Sequence, residues 1–371
     1  MRVLVSASPG VGHIFPTITT AWALRAAGHD VLFAGGGQFD EIARAGLSVV
    51  DTAPAVDFVQ LFSSAMGELG SPDPGSPADQ LLFAGRLFAR VSSVFVDLTV
   101  SLAREWRPDL VIYTPLQGAG PIAAAVVGVP SIAHGIAVGQ GRELWESVAR
   151  EMASDYDRFD VSAPAPDGVL DVSPPSMRAA DSSGWPMRYV PYNAGAVLPR
   201  WVVSPRARRR VVVTLGSVLP QLGGVGALRP FVAAAGKVDA EFVLALGGAD
   251  LSELGSLPDN VRPVDWVPLG ELLANSDAVV HHGGAGTTLT AVAAGLPQLV
   301  LPRMADQFLN AQAVARAGVG AVVRPEELDA ERLSGLLTDE AAGAAARRIV
   351  AEMAGQPSPA ELVSRLVSVL G

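Results

Sequence analysis

The sequence predicts an α/β protein of two domains, each built on a parallel β-sheet. Short Val/Ile/Leu runs without strict alternation, as strands buried on both faces require, take turns with longer helical patterns. The pattern restarts in the second half of the chain, and 371 residues exceed the usual size of one open-sheet domain.

In the first half, strands are expected near Val3 to Ser6, Val31 to Ala34, Leu110 to Tyr113, Ser131 to His134 and, last, Met187 to Val190. In the second half they fall at Val211 to Leu215, Phe242 to Leu246, Ala278 to His281 and Gln298 to Leu301. Each half has a helix ending in Gly-x-Pro before a strand, at Gly128-Val129-Pro130 and Gly295-Leu296-Pro297. Glycine stops the helix there and proline prevents its continuation. The Pro- and Gly-bearing stretch 195–209 marks the boundary, giving domains 1–200 and 201–356. The tail 357–371 carries apolar periodicity at Leu362, Leu366 and Val369 and reads as a final amphipathic helix. From Glu68 to Asp79, prolines with Ser and Gly neighbours make regular structure improbable and predict a mobile loop. The basic run Arg206 to Arg210 reads as a solvated flank of the linker.

Composition narrows the function. Zero cysteines remove disulfides and thiolate chemistry, and a net charge of −10 argues against a nucleic-acid surface. No apolar run approaches a membrane span and no secretory signal opens the chain, so the expected protein is cytoplasmic without integral membrane association.

Gly10-Val11-Gly12-His13 follows the first strand, but Phe15 occupies the third glycine position of a dinucleotide fingerprint and Asp30 precedes the second strand. What the turn offers is His13 at a strand's carboxyl edge, where open α/β sheets bind ligands, with a side chain suited to proton transfer. His13 is the candidate catalytic base. Phe58, Phe62, Phe83 and Phe88 flank the loop after Glu68; ordinary core is the first reading of these rings, and an apolar acceptor pocket under a loop is the functional one. Phe58, Phe62 and Phe83, with His134, are the candidate acceptor contacts.

The second half carries a strand, a glycine turn and a helix in Asp277 to Pro297. Glycines 283, 284 and 286 let backbone N–H groups converge on a diphosphate, and the helix adds its positive end. His282, Thr287 and Thr288 can add donors, with neither a basic patch nor a metal. There is no Gly-Lys-Ser/Thr, and the chain's only lysine is Lys237. After the next strand, Asp306 and Gln307 suit sugar hydroxyls, while Asp306 also suits capping of a helix from Gln307.

Together the Gly-x-Gly-His turn, the histidine-rich Gly-Gly turn and the Asp-Gln pair resemble nucleotide-sugar glycosyltransferases of the UDP-glucuronosyltransferase-like superfamily, above all bacterial antibiotic (polyketide) glycosyltransferases. The resemblance spans the chain and is strongest from Val264 to Val323. It implies a GT-B fold: two facing Rossmann-like domains, acceptor bound by the first and donor by the second, with a C-terminal helix crossing back. By position it implies that Trp266 and Val267 bind the base and that Ser217 approaches the diphosphate. It likewise implies that His282, Gly284, Gly286 and Thr287 hold the phosphates while Asp306 and Gln307 contact the sugar. His13 matches the family's base, with inversion at the anomeric carbon. Many relatives carry an orienting aspartate where this chain has Thr114. The expected reaction moves a (deoxy)hexose from a dTDP- or UDP-sugar to a small apolar acceptor, a polyketide aglycone. The nucleotide sugar is a co-substrate; no cofactor or metal is expected. A homodimer is left open.

Two other classes stay open at this point: a non-catalytic nucleotide-sugar binder, and an NAD(P)-dependent oxidoreductase that Phe15 disfavours. The D-x-D of Asp155-Tyr156-Asp157 lies in a polar helical stretch rather than at a strand end, and reads as a solvated face.

Overall fold

The computed structural model describes residues 1–70, 72–73, 76–139, 141–178, 182–216, 224–303 and 306–371. The chain forms two compact units. One comprises Met1–Ser173, Arg178–Tyr192 and Gln356–Gly371; the other comprises Pro174–Met177 and Asn193–Gly355.

In the first unit, β1 (Arg2–Ser6), β2 (Asp30–Gly35), β3 (Ser48–Asp51), β4 (Leu110–Tyr113), β5 (Ser131–His134), β6 (Gly168–Asp171) and β7 (Trp185–Pro186) form a sheet of order β3-β2-β1-β4-β5-β6-β7. In the second, β8 (Arg210–Thr214), β9 (Glu241–Ala245), β10 (Val261–Val264), β11 (Ala278–His281), β12 (Gln298–Val300) and β13 (Gly320–Val322) form one of order β10-β9-β8-β11-β12-β13. Every adjacent pair is parallel. Both are Rossmann-like α/β sheets, as expected. The strand order reverses between β1 and β4 and between β8 and β11, so a ligand crevice belongs at the carboxyl ends of those pairs.

The second unit shows why its strands read as unbroken apolar runs. Val211, Val213, Phe242, Leu244, Ala278 and Val280 enter one buried cluster, while Val212, Val243 and Val279 enter another. Alternate residues therefore face different apolar layers, and neither face needs polar side chains. Phe231 and Phe242 meet edge to face at 5.3 Å in the first of these layers.

Four expectations are corrected. The last strand of the first unit is Trp185–Pro186, not 187–190, and β3, β6, β10 and β13 were not foreseen. β3, β10 and β13 carry exposed positions, and β6 contributes only the short run Val169-Leu170, so none gives a long apolar signal. The predicted loop at 68–79 is shorter than expected, with described residues 70, 72–73 and 76 outside helix. Phe58–Leu69 runs through its start, and Pro77–Ser93 begins with the Ser76 hydroxyl accepting from the Asp79 N–H at 3.2 Å, because serine at the N-cap and proline in the first turn favour helix entry. Arg206 and Arg210 are not a solvated flank. Arg206 pairs with Asp277, and Arg210, nearly fully buried, pairs with Glu241 at 3.0 Å while lying over the Trp201 ring at 5.0 Å.

The tail helix is Val363–Ser368, with Leu362 and Leu366 buried. Its segment joins the first unit through the Arg188 N–H, which donates to the Pro357 carbonyl at 2.8 Å, and through Arg365, 4.2 Å over the Trp185 ring. No helix among the described residues is long and apolar enough to cross a membrane.

Phe231→Ala should destabilise the second unit by about 3–5 kcal/mol, the usual cost of emptying a fully buried phenylalanine site. Urea unfolding followed by far-UV circular dichroism reads this directly, and a loss below about 1 kcal/mol would mean the layer collapses around the gap.

Candidate functional site

The helix Val11–Ala26 starts at Gly10, whose φ of 113° is open to glycine and strained for other residues. No side chain caps it from that position; instead Gln38 Oε1 accepts the Val11 N–H at 2.9 Å. This turn lifts His13 off the end of β1. The His13 ring lies 5.2 Å from the Phe88 ring, which meets Phe62 edge-on at 5.9 Å. His13 Nδ1 is buried without a hydrogen-bond partner among the described residues, and burial pushes the ring's pKa down to about 4. No carboxylate among the described residues reaches it. Thr114 is buried, and its hydroxyl accepts the Ser8 N–H at 3.2 Å.

The four candidate acceptor residues separate. Phe58 stacks on Phe95 at 5.4 Å, closed off by Gly36 and Gly37, where an added Cβ would fall within 3.3 Å of the Phe58 ring. Phe58 and Phe62 pack on the buried core, with Phe62 continuing toward His13 through Phe88. Phe83 is half-buried and outside that core cluster. His134 is corrected outright: it is wholly buried and both nitrogens are occupied. Nδ1 donates to the Gly135 carbonyl at 2.8 Å, so Nε2 accepts from the Thr20 hydroxyl at 2.8 Å. It is a strut between β5 and the His13 helix, closed to any acceptor.

In the second unit, β11 ends in His281, and the alternation of the strand sends His281 inward and His282 outward. Gly283 N–H donates to His281 Nδ1 at 3.1 Å, which fixes the proton on Nε2, where it meets Gln298 Oε1 at 2.8 Å. His281 is wholly buried and its pKa is pushed down to about 4. Gly283 has φ 88°, and a Cβ there would lie 2.9 Å from the Gln307 carbonyl.

The His282 ring lies between two glycines. An added Cβ at Gly216 would lie 2.5 Å from its Cε1, and one at Gly284 2.4 Å from its Nε2. Burial, then the neighbouring His281, hold its pKa down at about 3, so it is a neutral imidazole. Just beyond it begins the helix Ala285–Ala293. The N–H groups of Ala285, Gly286 and Thr287 fall in its first turn, where helix geometry supplies no acceptor. The Thr287 hydroxyl makes no hydrogen bond among the described residues, but Thr288, buried, bonds back to the Gly284 carbonyl at 3.0 Å and is not a donor to ligand. Three N–H groups, a helix dipole and a neutral imidazole converge on one spot. That arrangement suits a diphosphate.

Asp306 sits at the start of the helix Gln307–Arg316 without capping it. Its Oδ2 accepts from Asn310 Nδ2 at 3.0 Å, and the same amide donates to the Gly283 carbonyl at 2.9 Å. Because a peptide is planar, holding that carbonyl also fixes the direction of the Gly284 N–H. Gln307 is buried and its Oε1 accepts the Arg303 N–H at 2.8 Å, tying down the strand exit rather than pointing freely outward. Trp266, past the end of β10 on the same sheet edge, is 50% exposed with no ring partner among the described residues, a face open to a base. Val267 packs on the apolar layer beneath. Ser217 lies outside the described residues. Asn310 and His281 were not anticipated. Asn310 was legible as the i+4 neighbour of Asp306 on one helix face, and His281 as the inward member of a histidine pair at a strand end.

Of the D-x-D, Asp155 accepts from the Ser93 hydroxyl at 2.7 Å and pairs with Arg158 at 3.1 Å on the helix Ala153–Arg158.

Models of the erythromycin biosynthesis protein CIII-like N-terminal and C-terminal domains match residues 22–216 and 229–369. The elloramycin glycosyltransferase ElmGT of Streptomyces olivaceus is 40% identical over 381 residues, covering 100% of this chain and 98% of the relative. The crystal structure of the glycosyltransferase SnogD from Streptomyces nogalater is similar with a TM-score of 0.87 at 43% identity, over 100% of this chain and 99% of that one. SsfS6 of Streptomyces sp. SF2575, complexed with thymidine diphosphate, gives 0.84 at 32% identity, over 100% and 99%.

Two outcomes follow from the geometry. Gly284→Ala must push the His282 ring aside, so affinity for a nucleoside diphosphate should fall at least about 10-fold, the worth of one charge-assisted hydrogen bond, with an unchanged circular dichroism spectrum. Calorimetric titration measures it; unchanged affinity would take His282 out of the phosphate site. Separately, His134 and His281 have folded pKa values near 4 against the usual 6.5, so the unfolded chain binds more protons between these limits. Stability should therefore fall as pH drops through 6.5 toward 4, and these two groups add no further change once pH is about a unit above 6.5. Urea midpoints across that range are the check, and a flat profile would contradict their burial as neutral rings.

Proposed function

Because the chain belongs to the erythromycin biosynthesis protein CIII-like glycosyltransferases, we propose that it moves a deoxyhexose from dTDP to a polyketide aglycone through the residues described above. It is a hexosyltransferase of the GT-B type, with two parallel-sheet Rossmann-like domains. The observation that carries the donor reading is the His282 ring held between Gly216 and Gly284 at the start of a helix. It offers donors for a diphosphate, and the exposed Trp266 on the same sheet edge offers a face for thymine. The thymidine diphosphate bound by SsfS6 supports the same nucleotide.

The proposed mechanism inverts the anomeric centre. His13 Nε2 takes the proton of the acceptor hydroxyl as its oxygen attacks the anomeric carbon. The bond to the diphosphate breaks with its electron pair, and the N–H groups of Ala285, Gly286 and Thr287, with His282, stabilise the charge that develops. Asp306 accepts from a sugar hydroxyl with its Oδ1, while Asn310 holds Oδ2. The reaction needs no metal in this reading: backbone donors do what a divalent ion would do, and Asp155 is engaged by Arg158 and Ser93. The setting is the cytoplasm.

His13→Ala should lower kcat by about 10²–10⁴-fold for an acceptor that is not ionised, the usual worth of a general base, and leave the dTDP dissociation constant within about 2-fold. Equal loss of donor affinity would move His13 out of the base role. Initial rates should survive exhaustive chelation. Activity lost to EDTA and restored by Mg²⁺ or Mn²⁺ would overturn the metal-free reading and return attention to Asp155 and Asp157.

A further inference from the structure

A general base works through both of its nitrogens: one accepts the proton and the other delivers the positive charge to a partner. His13 lacks that partner. Its Nδ1 is buried with no partner among the described residues, and the Phe88 ring lies 5.2 Å from the imidazole, centre to centre. On the loops around the β1 and β4 ends, Ser8 Oγ is buried and hydrogen-bonds neither to His13 nor to any other described residue, while Thr114, Gln117 and Gln38 are committed elsewhere. Thr114 Oγ1 accepts the Ser8 N–H, Gln117 Oε1 accepts the Ala119 N–H at 3.0 Å, Gln117 Nε2 donates to the Ala7 carbonyl at 3.4 Å, and Gln38 Oε1 takes the Val11 N–H.

For Nε2 to act as base, Nδ1 must carry the ring proton, and in the imidazolium that buried N–H shares a full charge with no acceptor opposite it. An unpaired buried charge is costly. The site therefore gives the base little driving force, and the missing force must come from the acceptor. A phenol of pKa about 10 yields its proton far more readily than a hydroxyl near the 15.7 of water, by roughly 6 powers of ten in the equilibrium. The Phe62 and Phe88 rings beside His13 also suit a flat conjugated partner.

We infer that the acceptor of this chain reacts through an acidic hydroxyl, a phenol or enol on a flat conjugated ring system, and that aliphatic alcohols of matched size are poor acceptors. The acceptor O–H bond breaks and its proton goes to His13 Nε2. The oxygen's electron pair forms the new bond to the anomeric carbon as the carbon–diphosphate bond breaks, and the imidazolium then releases its proton to water. The inference rests on the reading of the chain as a dTDP-sugar transferase and specifies the acceptor class.

The test uses the full chain with pooled dTDP-hexoses and two sets of fused-ring acceptors. In one set the hydroxyl sits on an aromatic carbon of graded acidity; in the other it sits on the corresponding saturated carbon. Phenols should exceed their saturated counterparts in kcat/KM by at least about 100-fold, the lower bound expected of a general base. Along the phenol series, the loss caused by His13→Ala should shrink to within about 10-fold for phenols already ionised at the assay pH, where no proton remains to be taken. Comparable kcat/KM for the saturated alcohols overturns the inference. So does a His13→Ala loss that stays constant along the series. Transfer to neither class, with dTDP still bound in calorimetry, overturns it while leaving the donor reading intact. Absence of dTDP binding removes the donor reading itself.

Discussion

His282 can lie over the first turn of the helix Ala285–Ala293 only because Gly216 and Gly284 present no Cβ to it. Those glycines stand at the carboxyl ends of β8 and β11, adjacent strands on either side of the point where the sheet order reverses. Strand order and turn composition thus meet at the ring's position, which one steric fact permits. Gly283 adds a second constraint, since its positive φ and its approach to the Gln307 carbonyl bring the next strand's exit loop against the phosphate turn. Asn310 then links the two loops through one amide.

In a chain of net charge −10, the turn proposed to receive the diphosphate offers backbone N–H groups, a helix end and a neutral imidazole. The histidines divide by what their nitrogens meet. His134 and His281 are enclosed with both nitrogens bonded, and each fixes a loop. His13 and His282 each keep a buried Nδ1 without a hydrogen-bond partner among the described residues, and these are the two proposed to meet substrate. An unsatisfied ring nitrogen is a cost to the fold, and at both positions it stands where substrate chemistry is proposed.

Much of this was legible in the sequence. The central strands β1, β4, β5, β8, β9, β11 and β12 announce themselves because burial on both faces demands continuous apolar runs, and the glycine turn announces itself because no other residue fits its backbone. Edge strands were not legible: Val261–Val264 includes Arg262 and Pro263, and Ser48–Asp51 is half-exposed, so their pairing comes from neighbours and not from their own composition. The prolines at 72, 74 and 77 read as loop, although Pro77 opens a helix, a position where proline is favoured. Among site residues, the difference between His13 and His134 was invisible. Each lies at the end of a first-unit strand, and only the partners across the fold, Thr20 and the Gly135 carbonyl for His134, show which one is closed.

The central claim is that a neutral His282 and the helix start beside it hold the diphosphate of a dTDP-sugar. The most direct measurement is the ring nitrogen shifts of all five histidines in ¹⁵N-labelled protein during titration with dTDP. The account predicts large changes at His282, with its pKa rising as the dianion approaches, while buried His281 and His134 stay fixed. Saturable dTDP binding that leaves the His282 ring unperturbed would contradict it.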